Sequence, residues 1–261
     1  MRIVTFASGS TGNCSLVSEG KANILIDAGI SMRRTVTSLA QLGLAPQDLC
    51  GVLITHEHSD HISGLSMLVK HHDLSIFAPA PLCEELSRLK PEIKNNLNSI
   101  PVAESFELSG LEVRCFKTMH DAAYSVGYRF AGSRTLAFAT DTGSINDELI
   151  YGLENAEIAL IEANHDLEML KNGPYPYFLK RRILAPTGHL SNTDSGKLAK
   201  HLANCGTKHI ILGHLSRDNN TPELALSTVQ SAVSTDNTEI YVAPANDMLA
   251  VGAGERLKCL I

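Results

Sequence analysis

Residues 55–61 read Thr-His-Glu-His-Ser-Asp-His, which places His56, His58, Asp60 and His61 within six positions. Imidazole and carboxylate are the groups through which proteins bind zinc, manganese and iron. A structural histidine needs only one hydrogen-bond partner, so four such donors in one turn call for something that holds them together. A loop-to-helix corner can turn His56 and His58 one way and Asp60 and His61 the other, which suggests two metal ions. A polar helix cap would account for the charge but not for the order His-x-His-x-Asp-His. The helical zinc-protease pattern His-Glu-x-x-His is excluded, because position 60 is Asp.

Such a turn needs a rigid support. "GVLIT" just before it is apolar and β-branched, so the cluster is expected on a loop at a strand's C-terminal end. Ser59 or Asp60 then opens a helix whose apolar face includes Ile62, Leu65, Leu68 and Val69. Other runs with strand character are "RIVTF", "CSLVS", "ANILID", "LSIFA", "LEVRCFKT", "AYSVGYRF", "RTLAFAT", "IALIE", "HIILG", "EIYVA" and "DMLAV". Met32, Val36, Leu39 and Leu42 fall near helical spacing, with Gly43 as a stop. "TDSGKLAKHLANCG" is a helix with Thr193 or Asp194 as cap and Gly206 at its end, and "TPELALSTVQSAV" reads the same way. Strands come first and strand–helix alternation later, which favours two sheets with helices outside over one doubly wound sheet.

Composition narrows the class. With 261 residues and 44% hydrophobic content, residues 1–261 are expected to form one well-cored domain. No apolar run approaches the roughly 18 residues of a membrane span, so no membrane partner is expected. "MRIVTFASGS" reads as an immediate strand and not as a secretory signal. Six cysteines without a Cys-x-x-Cys pair suggest reduced thiols and a cytoplasmic location. The net charge of −6 excludes a globally basic nucleic-acid binder and leaves only a local patch. The absence of Trp argues against a broad aromatic platform.

"THEHSDH" following "ILIDAG" resembles the metallo-β-lactamase superfamily, and the resemblance runs along nearly the whole chain. Asp27 in "ILIDAG" matches the family's structural aspartate, His120 in "TMHDAA" its third-motif histidine, Asp141 in "FATDTG" its bridging aspartate, and His214 in "ILGHLSR" its final metal histidine. His120, Asp141 and His214 each follow a strand-like run, so a layered fold can bring their loops to one rim. The resemblance implies a four-layer αβ/βα sandwich with a dinuclear site between the sheets. His56, His58 and His120 would hold one divalent ion, Asp60, His61 and His214 the other, and Asp141 would bridge them. Zinc is the first expectation, with manganese or iron as alternatives. Such a pair holds a bridging hydroxide for attack on phosphorus, and Asp60 would also orient or deprotonate that water.

The second half selects the substrate. "GHLSN" sets His189 about 25 residues before His214 and resembles the pattern of nucleic-acid phosphodiesterases in the superfamily. There the earlier histidine contacts the scissile phosphate and protonates the leaving oxygen. Ser191, with Asn192 and Thr193, offers phosphate donors at a helix start, and Arg217 would add a cation or pair with Asp218. "ASGSTGNCSLV", "IEANHD" and "YPYFLKRRI" resemble the WalJ/YycJ family, described as double-stranded DNA 5′-to-3′ exonucleases. That resemblance makes Asn164 and His165 candidates for substrate contact, and Lys180, Arg181 and Arg182 the local positive charge for a DNA backbone.

The resulting expectation is a dinuclear metal-dependent phosphodiesterase acting on DNA as an exonuclease. The alternative, favoured by the acidic balance, is hydrolysis of a small or cyclic phosphodiester. About twenty residues between His120 and Asp141 leave no room for the exosite arm of a tRNA 3′-processing endonuclease. Some seventy between Asp141 and His214 leave no room for a β-CASP domain. Metal identity, DNA against RNA, polarity of digestion and oligomeric state stay open at this level.

Overall fold

A computed structural model describes residues 1–233 and 237–252. Its first sheet is built from β1 (Arg2–Ala7), β2 (Cys14–Glu19), β3 (Ala22–Ile26), β4 (Gly51–Leu53), β5 (Ile76–Pro79) and β6 (Leu97–Ile100). The second takes β7 (Ser105–Leu108), β8 (Leu111–Lys117), β9 (Val126–Ala131), β10 (Thr135–Ala139), β11 (Ile158–Glu162), β12 (His209–Gly213) and β13 (Glu239–Val242). β14 (Leu249–Gly252) returns to the first sheet, so the orders are β14-β1-β2-β3-β4-β5-β6 and β13-β12-β11-β10-β9-β8-β7.

The helices on the first sheet are α1 (Met32–Gln41), α2 (Ser59–Ile62), α3 (Leu65–His72) and α4 (Ala80–Leu89). Those of the second half are α5 (Asp147–Leu153), α6 (Leu167–Asn172), α7 (Tyr177–Ile183), α8 (Asn192–Asn204) and α9 (Pro222–Ala232).

Period-two alternation explains the layering. Ile24 and Ile26 of β3 face the second sheet and meet Tyr128, Phe130 and Leu160 in the central core. Leu25, between them, faces the other way and packs with Leu39, Leu65 and Leu82 under the helices. The second sheet does the same: Leu160 points to the centre, while Ala159 and Ile161 pack against Leu198 and Leu202 of α8. Strands buried on both faces read as continuous apolar runs, which is why "ANILI" and "IALI" carry no polar alternation. The four-layer αβ/βα sandwich implied by the sequence is the observed architecture.

β3 to β6 pair in parallel, as do β10 to β13. β8 and β9 join the second block antiparallel. The C-terminal ends of β3, β4, β8, β10, β11 and β12 therefore share one rim.

Three local expectations need correction. β6 and β7 went unread because "LNSI" and "SFEL" are short and largely exposed sheet edges. The helix after the histidine cluster is two pieces, α2 and α3, broken at Gly64. A Cβ there would lie 1.8 Å from Ile30 O, so the approach of the two backbones requires glycine. The cap of α8 is Ser191, whose hydroxyl accepts from Asp194 N, and not Thr193 or Asp194.

Cys14, Cys50, Cys83, Cys115 and Cys205 are free thiols, and Cys259 lies outside the described residues. No helix among the described residues is long and apolar enough to cross a membrane.

Candidate metal centre

The shared rim gathers the sequence-selected residues into one cluster, and a single carboxylate organises its first part. Asp27 lies one residue past β3 and is fully buried. Its Oδ1 accepts from Thr55 N at 2.8 Å, and its Oδ2 accepts from the Thr55 hydroxyl at 2.9 Å and from His61 Nδ1–H at 2.7 Å. The Thr55 hydroxyl, having donated to Asp27, accepts from His56 Nδ1–H at 3.1 Å. Both rings are thus fixed from behind with Nε2 facing inward, the arrangement that orients a histidine toward a cation.

The other histidines are braced by different parts of the chain. His120, three residues past β8, donates Nδ1–H to Gly188 O at 3.1 Å and turns Nε2 to within 3.2 Å of His58 Nδ1. His214 directly follows β12 and donates Nδ1–H to Asn13 Oδ1 at 3.3 Å. Its backbone is held on both sides, its N–H donating to the Ser8 hydroxyl and its carbonyl accepting from Asn164 Nδ2. Asp141, two residues past β10, lies between the groups: Oδ2 is 3.3 Å from His61 Nε2, and Oδ1 is 3.2 Å from His214 Nε2 and 3.8 Å from His120 Nε2.

Asp27, Asp141 and His214 share a left-handed backbone, with φ of 61°, 56° and 56°. Residues other than glycine rarely adopt it, and it persists only where the surroundings over-determine it. Here it turns three strand ends sharply over the same rim.

Donor atoms of His56, His58 and His120 lie within 4.8 Å of one another, as do those of Asp60, His61 and His214. These are the two trios expected from the sequence. His56 Nε2 and Asp141 Oδ2 are buried and have no hydrogen-bond partner among the described residues. A buried polar atom left so costs about 1–3 kcal/mol, and two facing the same small space fit a site for cations. Charge agrees. Burial, reinforced by the neighbouring His61, holds the His56 imidazole well below its usual range and therefore neutral, the form that binds a cation. Burial opposes the charge on Asp141, yet His214 and His61 outweigh it and keep that carboxyl well below the carboxylate range.

His189 stands beside the cluster, its ring stacked on His214 at 5.4 Å between centroids. It donates Nδ1–H to Glu162 Oε1 at 2.6 Å. Glu162 is fully buried at the end of β11, and its other oxygen accepts from Thr142 N and Leu190 N. Burial works against a charged His189 ring, but the Glu162 carboxylate wins and raises it to about 9. With Nδ1 committed to Glu162, Nε2 is the ring nitrogen that remains.

A cleft of about 190 Å³ opens above these groups, with His58, Asp60, His120, Asp141, His189 and His214 on its floor. Ser10, Asp121 and three residues of α7, Leu179, Arg182 and Ile183, form its walls. The four residues expected to touch substrate do not line this cleft. Asn164 is buried and bound to His214 O. Ser191 is buried and tied to Asp194 at the start of α8. His165 is buried, neither ring nitrogen has a partner among the described residues, and burial lowers it to about 4. Arg217 is exposed, while its neighbour Asp218 accepts from the Tyr175 hydroxyl.

Sequence reasoning missed Asn13 and Glu162. Asn13 Nδ2 reaches Asp60 Oδ2 at 3.2 Å and His61 Nε2 at 3.0 Å, which links the first turn of the chain to the C-terminal end of the histidine cluster. Glu162 did leave a signal: an acid closing "IALIE", an otherwise wholly apolar strand, has to be buried with a partner.

The model of a β-lactamase superfamily domain matches residues 22–215. Exodeoxyribonuclease YycJ of Bacillus anthracis is 39% identical over 229 residues, 87% of each chain. Exodeoxyribonuclease WalJ of Streptococcus pneumoniae serotype 2 is 37% identical over 227 residues, covering 85% of this chain and 84% of that one. Among solved structures, zinc-bound PqqB of Methylobacterium extorquens superposes with a TM-score of 0.75 over 97% of this chain and 100% of its own, at 18% identity.

Proposed function

Since this chain belongs to the metallo-β-lactamase superfamily and, within it, to the WalJ/YycJ family, we propose that it is a metal-dependent exodeoxyribonuclease. Residues 1–261 would act as one hydrolase domain on DNA ends, and the free cysteines suit a reducing, cytoplasmic setting. The observation that carries this reading is the His189–Glu162 pair, a held proton donor facing the same cleft as the two donor trios.

His56, His58 and His120 would hold one divalent ion, zinc or else manganese or iron, and Asp60, His61 and His214 a second, with Asp141 between them. When bound, such ions make water nucleophilic near neutral pH and neutralise charge that builds on phosphate oxygens. The remaining work falls to the chain itself. Asp27 and Thr55 keep His56 and His61 in one orientation, and Asn13 does so for Asp60 and His214. Asp60, on the cleft floor, orients the attacking water. His189 gives its Nε2 proton to the departing sugar oxygen, and Glu162 stabilises its protonated form before the transfer. Asn164 acts through the His214 carbonyl, and the exposed Arg217 is a cation for more distant phosphates. Ser191, with its hydroxyl on Asp194, fixes the segment that follows His189, and His165 pairs with that same segment through the backbone.

The net charge of −6 supports a second reading, hydrolysis of a small or cyclic phosphodiester at the same centre. End-labelled single-stranded and duplex DNA, RNA of the same sequence and bis-p-nitrophenyl phosphate, each with Mn²⁺ or Zn²⁺, separate the two. Stepwise loss of nucleotides from a DNA end supports the exonuclease. Metal-loaded protein that cleaves the small ester and leaves every DNA end intact would falsify it in favour of the second.

A further inference from the structure

Tyr177 and Phe178 are 75% and 73% exposed, more than any other large hydrophobic side chain among the described residues. They open α7, the helix whose Leu179, Arg182 and Ile183 form a wall of the cleft. At about 100° per residue, α7 orders its side chains around the axis as Ile183, Leu179, Arg182, Phe178, Arg181 and Tyr177. Passing outward from the cleft, cation and ring alternate: Arg182, Phe178, Arg181, Tyr177. The Arg181 guanidinium lies 6.0 Å from the Tyr177 ring centre. Lys180 is not part of this strip, because its ammonium donates to Lys171 O at 2.7 Å and Gly173 O at 2.8 Å and fastens the helix to the turn before it. Arg182 is bound to Asp121, another lining residue of the cleft, which ties α7 to the loop after β8.

Neighbouring rings left in water beside a phosphate-cleaving centre, with a guanidinium between them, match the chemistry of an unpaired nucleic-acid strand. Base faces stack on rings without regard to sequence, and a cation takes the intervening phosphate. We propose that Tyr177 and Phe178 form a narrow stacking platform for unpaired nucleotides next to the scissile phosphodiester, with Arg181 on the phosphate between them. The platform rests on the exonuclease reading and adds to it a substrate preference: an end presented as single strand, by overhang or by fraying. It needs only two rings, and so is compatible with a chain that has no Trp.

That lack of Trp supplies the test. Phe178→Trp places one indole in the whole chain, and a His189→Ala background slows cleavage enough to watch binding. Adding a single-stranded oligonucleotide should quench the emission with the midpoint seen by anisotropy of the labelled strand. Emission that does not move while anisotropy reports binding overturns the platform. In the otherwise native protein, Tyr177→Ala with Phe178→Ala should raise KM for an overhanging duplex at least ten-fold, about what stacking one base provides. The ratio of DNA to bis-p-nitrophenyl phosphate efficiency should fall equally. Tyr151→Ala, which removes an exposed ring under Arg114 on α5, serves as the control. If the native protein degrades DNA and the double variant does so with the same KM, the rings dock something else, such as a protein, and the platform alone fails. If the native protein degrades no DNA, the exonuclease reading fails and takes the platform with it.

Discussion

The floor of the cleft and its α7 wall are built on opposite terms. At and beneath the floor, His56, His61, Asp141 and His214 are buried, and Asp27, Thr55, Asn13 and Gly188 brace the histidine rings from behind. On the side of α7 turned away from the cleft, Tyr177, Phe178 and Arg181 stand in water, with only a loose ring–guanidinium contact among them. Bond cleavage requires atoms fixed to fractions of an ångström, which demands burial and support. Gripping successive nucleotides requires a surface that accepts any base, and a free aromatic face does so. On the exonuclease reading, the difference teaches that fixed chemistry and tolerant recognition are divided between buried strand-end loops and the exposed face of a short helix.

If that contrast is right, substitutions on the floor should act on metal content or kcat and substitutions on the wall on KM. The largest effect is expected for Asp141→Ala, which removes the one group between both trios: bound metal measured by elemental analysis should fall, and activity with it to background. His189→Ala comes next, lowering kcat by roughly 10²–10⁴-fold while elemental analysis finds the metal still bound. Thr55→Val, which leaves His56 Nδ1 without its partner and Asp27 Oδ2 with His61 Nδ1–H alone, should weaken metal affinity by roughly 10–100-fold in a chelator competition. An unchanged affinity would mean the bracing behind the rings is not what holds them.

Glu162→Gln sharpens the distinction through pH. A group that must donate a proton works below its pKa and fails as pH rises through it. Removing the carboxylate that holds His189 at about 9 should therefore move the alkaline fall in kcat to lower pH. A fall at the same pH in both proteins would assign the proton to another group. The smallest effect is expected from Lys197→Ala on the exposed face of α8, where its i,i+3 pair with Asp194 stands in water and is screened by it. Thermal unfolding should barely register it.

Much of this was legible in the chain. Twelve strand runs were readable because their β-branched, apolar character is local, and β6 and β7 were not, because an exposed four-residue edge leaves no such mark. The histidine cluster was legible because its members are neighbours in sequence. Glu162 and Asn13 escaped because their roles depend on partners 27 and 48 residues away, His189 and His61. Ser191 was placed among the substrate donors, while in the fold its hydroxyl is spent on Asp194 at the helix cap. Nothing in "YPYFLKRRI" by itself separates Lys180, bound to the backbone, from Arg181, left free.

By itself the sequence determined the strand runs and the cluster at His56–His61, since side-chain period and residue chemistry are properties of neighbours along a chain, while the four layers and His120, Asp141 and His214 were expected only through the family resemblance. It could not determine which nitrogen of each ring faces inward, that three strand ends turn through left-handed backbone, or that α7 forms a wall of the cleft. Those depend on hydrogen bonds and packing between segments tens to hundreds of residues apart, whose distances are set only once both sheets have closed on their common core.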